Sequence, residues 1–371
     1  MSGIDSGLAE AVVVIPSLEP KSQLIEYVSR VSESGFGKVV VVDDGSGANY
    51  REIFERIGSL KNVVVLTHPE NLGKGAALKT AFQHVQDFGQ AHVVVITADS
   101  DGQHELADVI GVAKASLASA RQGQLKLVLG VRELGNKSVP WKSRLGNQIT
   151  SALVKLLFGK FLVDTQTGLR AYPKTFLPQL IQTRGDRFEY EMHVLFDLMN
   201  KKVPMVEVPV KTVYLDSENS NTHFRPLIDS ARIYFVIFGQ FFGFASSSIL
   251  SAVIDIALFA LIIDFAFGGS SAPTGVVISV VLARIVSSLV NFGLNKGLVF
   301  SNKDKKRRTL LRYYSLAALV LTSSAIGSAV MAQVLEGRVV WAKIVVDSIL
   351  FVFSYLIQRR WVFQPETEKS K

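Results

Sequence analysis

His92-Val93-Val94-Val95-Ile96-Thr97-Ala98-Asp99-Ser100-Asp101-Gly102-Gln103-His104 is the stretch that decides the fold of the first half of this chain. An apolar run of strand length at 92–97 shows no alternation, as expected of a strand covered on both faces. It ends abruptly in two carboxylates one residue apart. Such a pair facing a cleft is costly unless a cation neutralises it, and oxygen ligands favour Mg²⁺ or Mn²⁺. Asp99 and Asp101 are the candidate ligands, with Gln103 as a neutral oxygen; a solvated turn is the alternative. His104 reads as a supporting or surface residue rather than a ligand.

Four more apolar runs flank this one, at 11–15, 38–42, 63–67 and 126–130, with helix-like spacing between them at 22–34 and 74–88. Strand–helix alternation predicts an α/β domain with a mostly parallel sheet, whose ligands bind beyond the carboxyl ends of the strands. The first run leads into Pro16-Ser17-Leu18-Glu19-Pro20. The second ends in Asp43-Asp44-Gly45-Ser46, which admits both a nucleoside contact and a plain turn. After the third comes Asn71-Leu72-Gly73-Lys74-Gly75, opening a helix that also carries Lys79. Two glycines, a lysine and a helix N-terminus suit a diphosphate, without the spacing of a Walker loop; a structural turn fits too.

The order of these strand-end motifs resembles glycosyltransferase family 2 with its GT-A fold, and within it the dolichol- or polyprenyl-phosphate sugar synthases. The resemblance covers about 11–234. It implies metal binding by Asp99, Asp101 and Gln103, and nucleoside contacts by Asp43 and Asp44. It also implies donor contacts by Pro16, Glu19, Gly73, Lys74, Lys79 and Ser100, and an acceptor-phosphate grip by Arg132 and Arg144. Asp164-Thr165-Gln166-Thr167-Gly168-Leu169-Arg170 resembles the family's Asp-Thr-Gln-x-Gly segment near the reacting centre, with Asp164 expected to position the sugar rather than act as a base. Pro20 stands where many relatives have an acidic residue, which leaves Glu19 as the nearest carboxylate.

The chain has 371 residues, no cysteine and a net charge of +8. Disulfide and thiolate chemistry are therefore excluded. The basic residues cluster beside apolar stretches, at Lys303, Lys305, Lys306, Arg307, Arg308 and Arg312 and at Arg359 and Arg360, which points to lipid head groups and not to nucleic acid. Residues 1–10 show no signal-peptide pattern, so the first domain is expected in the cytoplasm.

From 238 onward, apolar stretches at 238–263, 276–294, 315–334 and 339–357 each approach the length needed to cross a hydrocarbon core of about 30 Å. The expected organisation is a soluble domain at 1–224, an interfacial helix at 225–237, four transmembrane helices within 238–363 and a tail at 364–371. Both termini fall on the cytoplasmic side, with the basic segments, as the positive-inside pattern asks. A repeat supports this: Leu294-Asn295-Lys296-Gly297-Leu298-Val299-Phe300 returns as Ile357-Gln358-Arg359-Arg360-Trp361-Val362-Phe363. The second half resembles the GtrA-like family of four-span proteins, which implies movement of lipid-linked sugars or assistance to the transferase. Asp255 and Arg284 lie equally far from the midpoint of their loop, and the repeat sets Asp347 at the place of Arg284. Ionisable residues in lipid pair with one another, so a buried Asp255–Arg284–Asp347 cluster is expected, as a clasp or as a polar path.

The sequence therefore reads as an inverting, metal-dependent glycosyltransferase of the cell membrane. It would move a hexose, with glucose the first choice, from a nucleotide diphosphate sugar such as a UDP-sugar to polyprenyl (undecaprenyl) phosphate for envelope polysaccharide. The alternatives are a diacylglycerol-type acceptor and a non-catalytic transporter or scaffold. A homo-oligomer is compatible with either.

Overall fold

The computed structural model describes residues 7–88, 93–102, 104–132, 141–211, 226–268, 273–300, 306–334 and 339–363. Gln103, Lys303 and Lys305 lie outside them, as does Arg225, the first residue of the expected interfacial helix. The chain divides into two compact units, Met1–Val236 and Ile237–Lys371.

In the first unit the five expected strands are β1 (Ala11–Ser17), β2 (Lys38–Asp43), β3 (Val63–Thr67), β4 (Val94–Thr97) and β5 (Leu127–Arg132). Two more complete the sheet, β6 (Arg170–Pro173) and β7 (Met205–Val210), in the order β3-β2-β1-β4-β6-β5-β7. Only β6 runs antiparallel to its neighbours. The helices of this unit are α1 (Gln23–Glu33), α2 (Arg51–Gly58), α3 (Lys74–Gln86), α4 (Leu106–Arg121), α5 (Trp141–Phe158), α6 (Leu177–Gln182) and α7 (Glu189–Asn200).

Alternation along the strands explains the valine runs. Val13, Ile15, Val39, Val41, Val94 and Ile96 join Leu24 and Val28 of α1, Phe54 of α2 and Val109 of α4 in one core. The intervening Val12, Val14, Val40, Val42 and Val95 are equally buried, as are Ala77, Leu78 and Ala81 of α3, which packs on β1 and β2. Both faces are covered, so both sets must be apolar. The direction of strand order reverses between β1 and β4, where an α/β sheet opens a crevice at its carboxyl edge.

The second unit consists of long helices, the first of which begins in the last residues of the first unit. α8 (Pro226–Phe267), α9 (Pro273–Leu294), α10 (Lys306–Val334) and α11 (Val339–Ile357) contain the four expected spans. Among the described residues, Phe241–Phe267 is the stretch long and apolar enough to cross a membrane, with 27 residues and a mean hydropathy of 2.4. The segment expected as an interfacial helix and the first span run, from residue 226, as one continuous helix, α8, whose 42 residues give about 60 Å of length, roughly twice a hydrocarbon core. Lys306, Arg307, Arg308 and Arg312 of the basic cluster fall in the first turns of α10.

The repeat has a structural counterpart. α9 and α11 both end in five-residue π-helical turns, Asn295–Val299 and Gln358–Val362. Asn295 and Gln358 are buried, and the Asn295 amide donates to Gln358 Oε1 at 3.2 Å. Each also donates to the side chain four residues earlier, Asn295 to Asn291 and Gln358 to Ser354. The rings of Phe300 and Phe363 stack at 5.0 Å and 15°.

Asp255 and Arg284 do pair, at 3.1 Å, with Ser287 donating to the same carboxylate. Asp347 accepts from Ser324 of α10. The cluster is not enclosed as expected: the Arg284 side chain is 71 % exposed, and Val281, one turn away on α9, is exposed too.

Candidate active site

The loops after β1, β2, β3 and β4 interlock. The Glu19 amide, in a residue with positive φ, donates to Ser46 Oγ at 2.8 Å, and the Ser46 amide donates to Asp43 Oδ1 at 2.9 Å. Pro16 stays within β1, paired with Val42. Gly45 has φ +75°, and a Cβ there would lie 2.2 Å from the Glu70 carbonyl carbon, so the loops after β2 and β3 approach only because that position is glycine.

Asp44 has work beyond that expected of it. Its carboxylate accepts from the Leu72 and Gly73 amides at 3.0 and 2.8 Å and from His68 Nδ1 at 2.7 Å. A buried carboxylate with three donors is a clamp, here on the turn that starts α3. Gly73, at φ +107°, packs against the Asp186 carbonyl, where a Cβ would sit 2.4 Å away. Together they aim Lys74 into the crevice.

Lys74 Nζ lies 2.7 Å from Asp99 Oδ1 and 2.9 Å from Glu191 Oε2, with side-chain exposures of 16 %, 28 % and 12 % respectively. Burial opposes both charges, yet each is held. The Lys74 ammonium and His104 keep the Asp99 carboxyl far below the usual carboxylate range. Asp99 and Glu191 push the lysine above its ordinary value. His104 Nε2 is 3.3 Å from Asp99 Oδ2, so this buried histidine supports the carboxylate. Ser100 and Asp101 follow in a half-buried turn.

Lys79 does not join this group. Five residues along a helix turn the side chain about 140° away from Lys74. It pairs instead with Asp186 at 2.8 Å and lies over the Tyr190 ring.

The segment before β6 forms the opposite wall. Asp164 is fully buried and takes Arg132 in a two-point grip, Nε at 2.6 Å and Nη2 at 3.1 Å, while accepting from the Gln166 amide. With its oxygens so occupied, Asp164 orients Arg132. Asn147 of α5 accepts from Thr165 and donates to the Val163 carbonyl, and the buried Arg170 donates to the Thr167, Thr165 and Glu191 carbonyls. Arg144 lies half-buried in the first turn of α5.

Gly168 rests directly on the Asp99 carboxylate, where a Cβ would come within 2.3 Å of Oδ2 and 2.5 Å of Oδ1. Gly168→Ala should therefore displace Asp99 from its place beside Lys74 and lower kcat/KM by about a hundredfold, a loss on the scale of one transition-state contact. A calorimetric melt should move by only a few degrees, about 1 kcal/mol or less. A Gly168→Ala enzyme with native turnover would show that this contact is incidental.

Three buried polar atoms around Asp99 have no hydrogen-bond partner among the described residues: Glu191 Oε1, His104 Nδ1 and the Tyr27 hydroxyl. Burial, with Asp99 and Asp101 nearby, drives the Tyr27 phenol above its ordinary pKa. Two carboxylates, orphaned polar atoms and a glycine-floored cradle fit a divalent cation. Among the described residues, no three acidic or histidine side chains converge on one point. Such a cation would complete its shell with donor phosphates, as Mg²⁺ commonly does.

Sequence reasoning did not single out Glu191, Tyr27, Asn147 or His68 as site residues. Glu191 lies 117 positions from Lys74, and its only local signal is an acidic residue in the first turn of a helix.

Two family models match the chain: "Glycosyl transferase family 2" over residues 12–142, and "GtrA/DPMS, transmembrane domain" over 243–363. The chain is 30 % identical over 211 residues to uncharacterized protein MJ1222 of Methanocaldococcus jannaschii, covering 56 % of this chain and 83 % of the relative. It is 26 % identical to the UDP-N-acetylglucosamine–dolichyl-phosphate N-acetylglucosaminyltransferase of Methanococcus voltae, covering 55 % and 86 %. It is also 26 % identical to glycosyltransferase AglJ of Haloferax volcanii over 308 residues, 80 % of this chain and 96 % of the relative. The strand-end motifs on a mostly parallel sheet and the duplicated helical hairpins agree with both models, and the chain belongs to glycosyltransferase family 2, as a membrane enzyme with a GtrA/DPMS-type transmembrane domain.

Proposed function

We propose that this enzyme transfers a hexose from a UDP-sugar to a polyprenyl phosphate, inverting the anomeric carbon, on the cytoplasmic side of the cell membrane. The observation that carries this reading is the Lys74–Asp99 pair just beyond the end of β4, at the β1/β4 crevice, with Arg132 held by Asp164 at the end of β5. The names of the Methanococcus relative's donor and acceptor support the substrate class.

A phosphate monoester, with a second pKa of about 6, is largely dianionic at neutral pH and requires orientation more than deprotonation. Arg132, its plane fixed by Asp164, and Arg144 supply that orientation. The roles of the donor side fall to Asp99 and Asp101, with Gln103, as cation ligands, and to Lys74 on the departing diphosphate. A bound Mg²⁺ or Mn²⁺ would stabilise charge developing on that diphosphate. The basic residues of α10 and those after α11 set the cytoplasmic side.

The test uses the purified full-length protein in detergent with undecaprenyl phosphate and labelled UDP-glucose, UDP-N-acetylglucosamine or GDP-mannose. Label should enter the lipid phase from one UDP-sugar, and a chelator should abolish it. Label moving to diacylglycerol instead would replace the acceptor. No lipid label from any donor, in a protein that binds UDP, would overturn the reading.

A further inference from the structure

The carboxylate assigned to the cation and the ammonium assigned to the diphosphate are bonded to each other here. Lys74 Nζ sits on Asp99 Oδ1, so a divalent cation and this ammonium compete for the same oxygen. Expelling a buried ammonium is expensive unless it has another partner. Glu191 is that partner. Its Oε2 already holds Nζ, and its Oε1 is buried, unbonded and able to accept from the same three-proton group.

We propose that Lys74 is a resident counter-ion occupying the cation position at Asp99 until donor binds, and that Glu191 is the positioning residue that retains the ammonium once it leaves. This rests on the reading of Asp99 as a cation ligand. The physical argument is charge balance. In the ligand-free site one ammonium serves two carboxylates. A lone divalent cation must push that ammonium off Asp99 and leave it to Glu191 alone. A nucleoside diphosphate changes the balance, because it brings negative charge for Lys74 and further oxygen ligands for the cation. Cation and nucleotide therefore bind with strong mutual coupling.

The experiment measures free Mn²⁺ by electron paramagnetic resonance, titrating full-length protein in detergent with and without UDP. Wild-type protein should bind Mn²⁺ about tenfold or more tightly when UDP is present, within the usual span of site-to-site coupling. Lys74→Met should bind Mn²⁺ alone about tenfold more tightly than wild type, with a smaller gain from UDP. Glu191→Gln should move in the opposite direction and bind Mn²⁺ alone more weakly, since the ammonium then has only Asp99. A purely structural role for the pair would weaken cation binding in both variants and would overturn the proposal. So would unchanged Mn²⁺ affinity in Lys74→Met. Glu191→Gln keeps the Lys74–Asp99 bond and decides the matter should Lys74→Met fail to fold: Mn²⁺ binding as tight as wild type or tighter refutes the counter-ion role. Failure of the underlying reading looks different: Asp99→Asn would then bind Mn²⁺ with UDP as well as wild type does.

Discussion

Asp99→Asn is expected to lower sugar transfer by about a thousandfold while leaving the fold intact, a loss of the size seen when a preorganised charge at a reacting centre is removed. The asparagine oxygen can still accept from Lys74 while its NH2 group donates to His104 Nε2, and Lys74 keeps Glu191 at 2.9 Å, so no buried charge is stranded. What disappears is the negative charge that a cation would need. Initial rates at saturating donor, set beside a thermal melt of the same sample, separate the two effects. A variant that keeps more than about a tenth of wild-type turnover would remove Asp99 from the centre of the chemistry.

Asp164→Ala should act in the opposite way, on stability first. The carboxylate is fully buried and neutralises Arg132, whose side chain is only 17 % exposed. Truncation leaves that guanidinium buried without its two-point partner and the Gln166 amide without an acceptor. Breaking a buried ion pair from one side costs about 3–5 kcal/mol. Removing Arg132 as well should return part of that loss, so Asp164→Ala with Arg132→Met should melt above Asp164→Ala alone. Activity should be absent from both if Arg132 has the acceptor role proposed above, because each variant removes that arginine or its orientation. A single variant destabilised by less than about 1 kcal/mol would contradict the account of a buried, charge-paired carboxylate.

Much of the architecture was legible in the chain because its causes are local. Valine runs announce strands covered on two faces, and β1 to β5 fell where those runs lie. β6 and β7 escaped for physical reasons. Arg170–Pro173 is four residues long and opens with a buried arginine, so its strand character comes from pairing with β4 and β5. Met205–Val210 carries Glu207 and Pro209, which weaken its strand signal and are accommodated at the edge of the sheet. The repeat was readable as text. That its copies touch at Asn295–Gln358 and Phe300–Phe363 was not, because contact between copies depends on how the hairpins pack.

The candidate site divides along the same line. Sequence by itself determined much of the chemistry on offer. Residue type and short spacing suffice for the Asp99 and Asp101 carboxylates and the Gly73-Lys74 helix start, whereas the Asp164 to Gly168 segment was legible only through its family resemblance. Tertiary structure alone decided which groups engage which. It turned Asp44 into a clamp on the α3 start, gave Asp164 to Arg132, sent Lys79 to Asp186, and set Glu191 beside Lys74 from across the domain. It also laid Gly168 on Asp99, a contact between residues 69 positions apart. The reason is range: strand and turn preferences act over a few residues, whereas the partner of a buried charge is set by whichever distant segment the closed fold brings within about 3 Å.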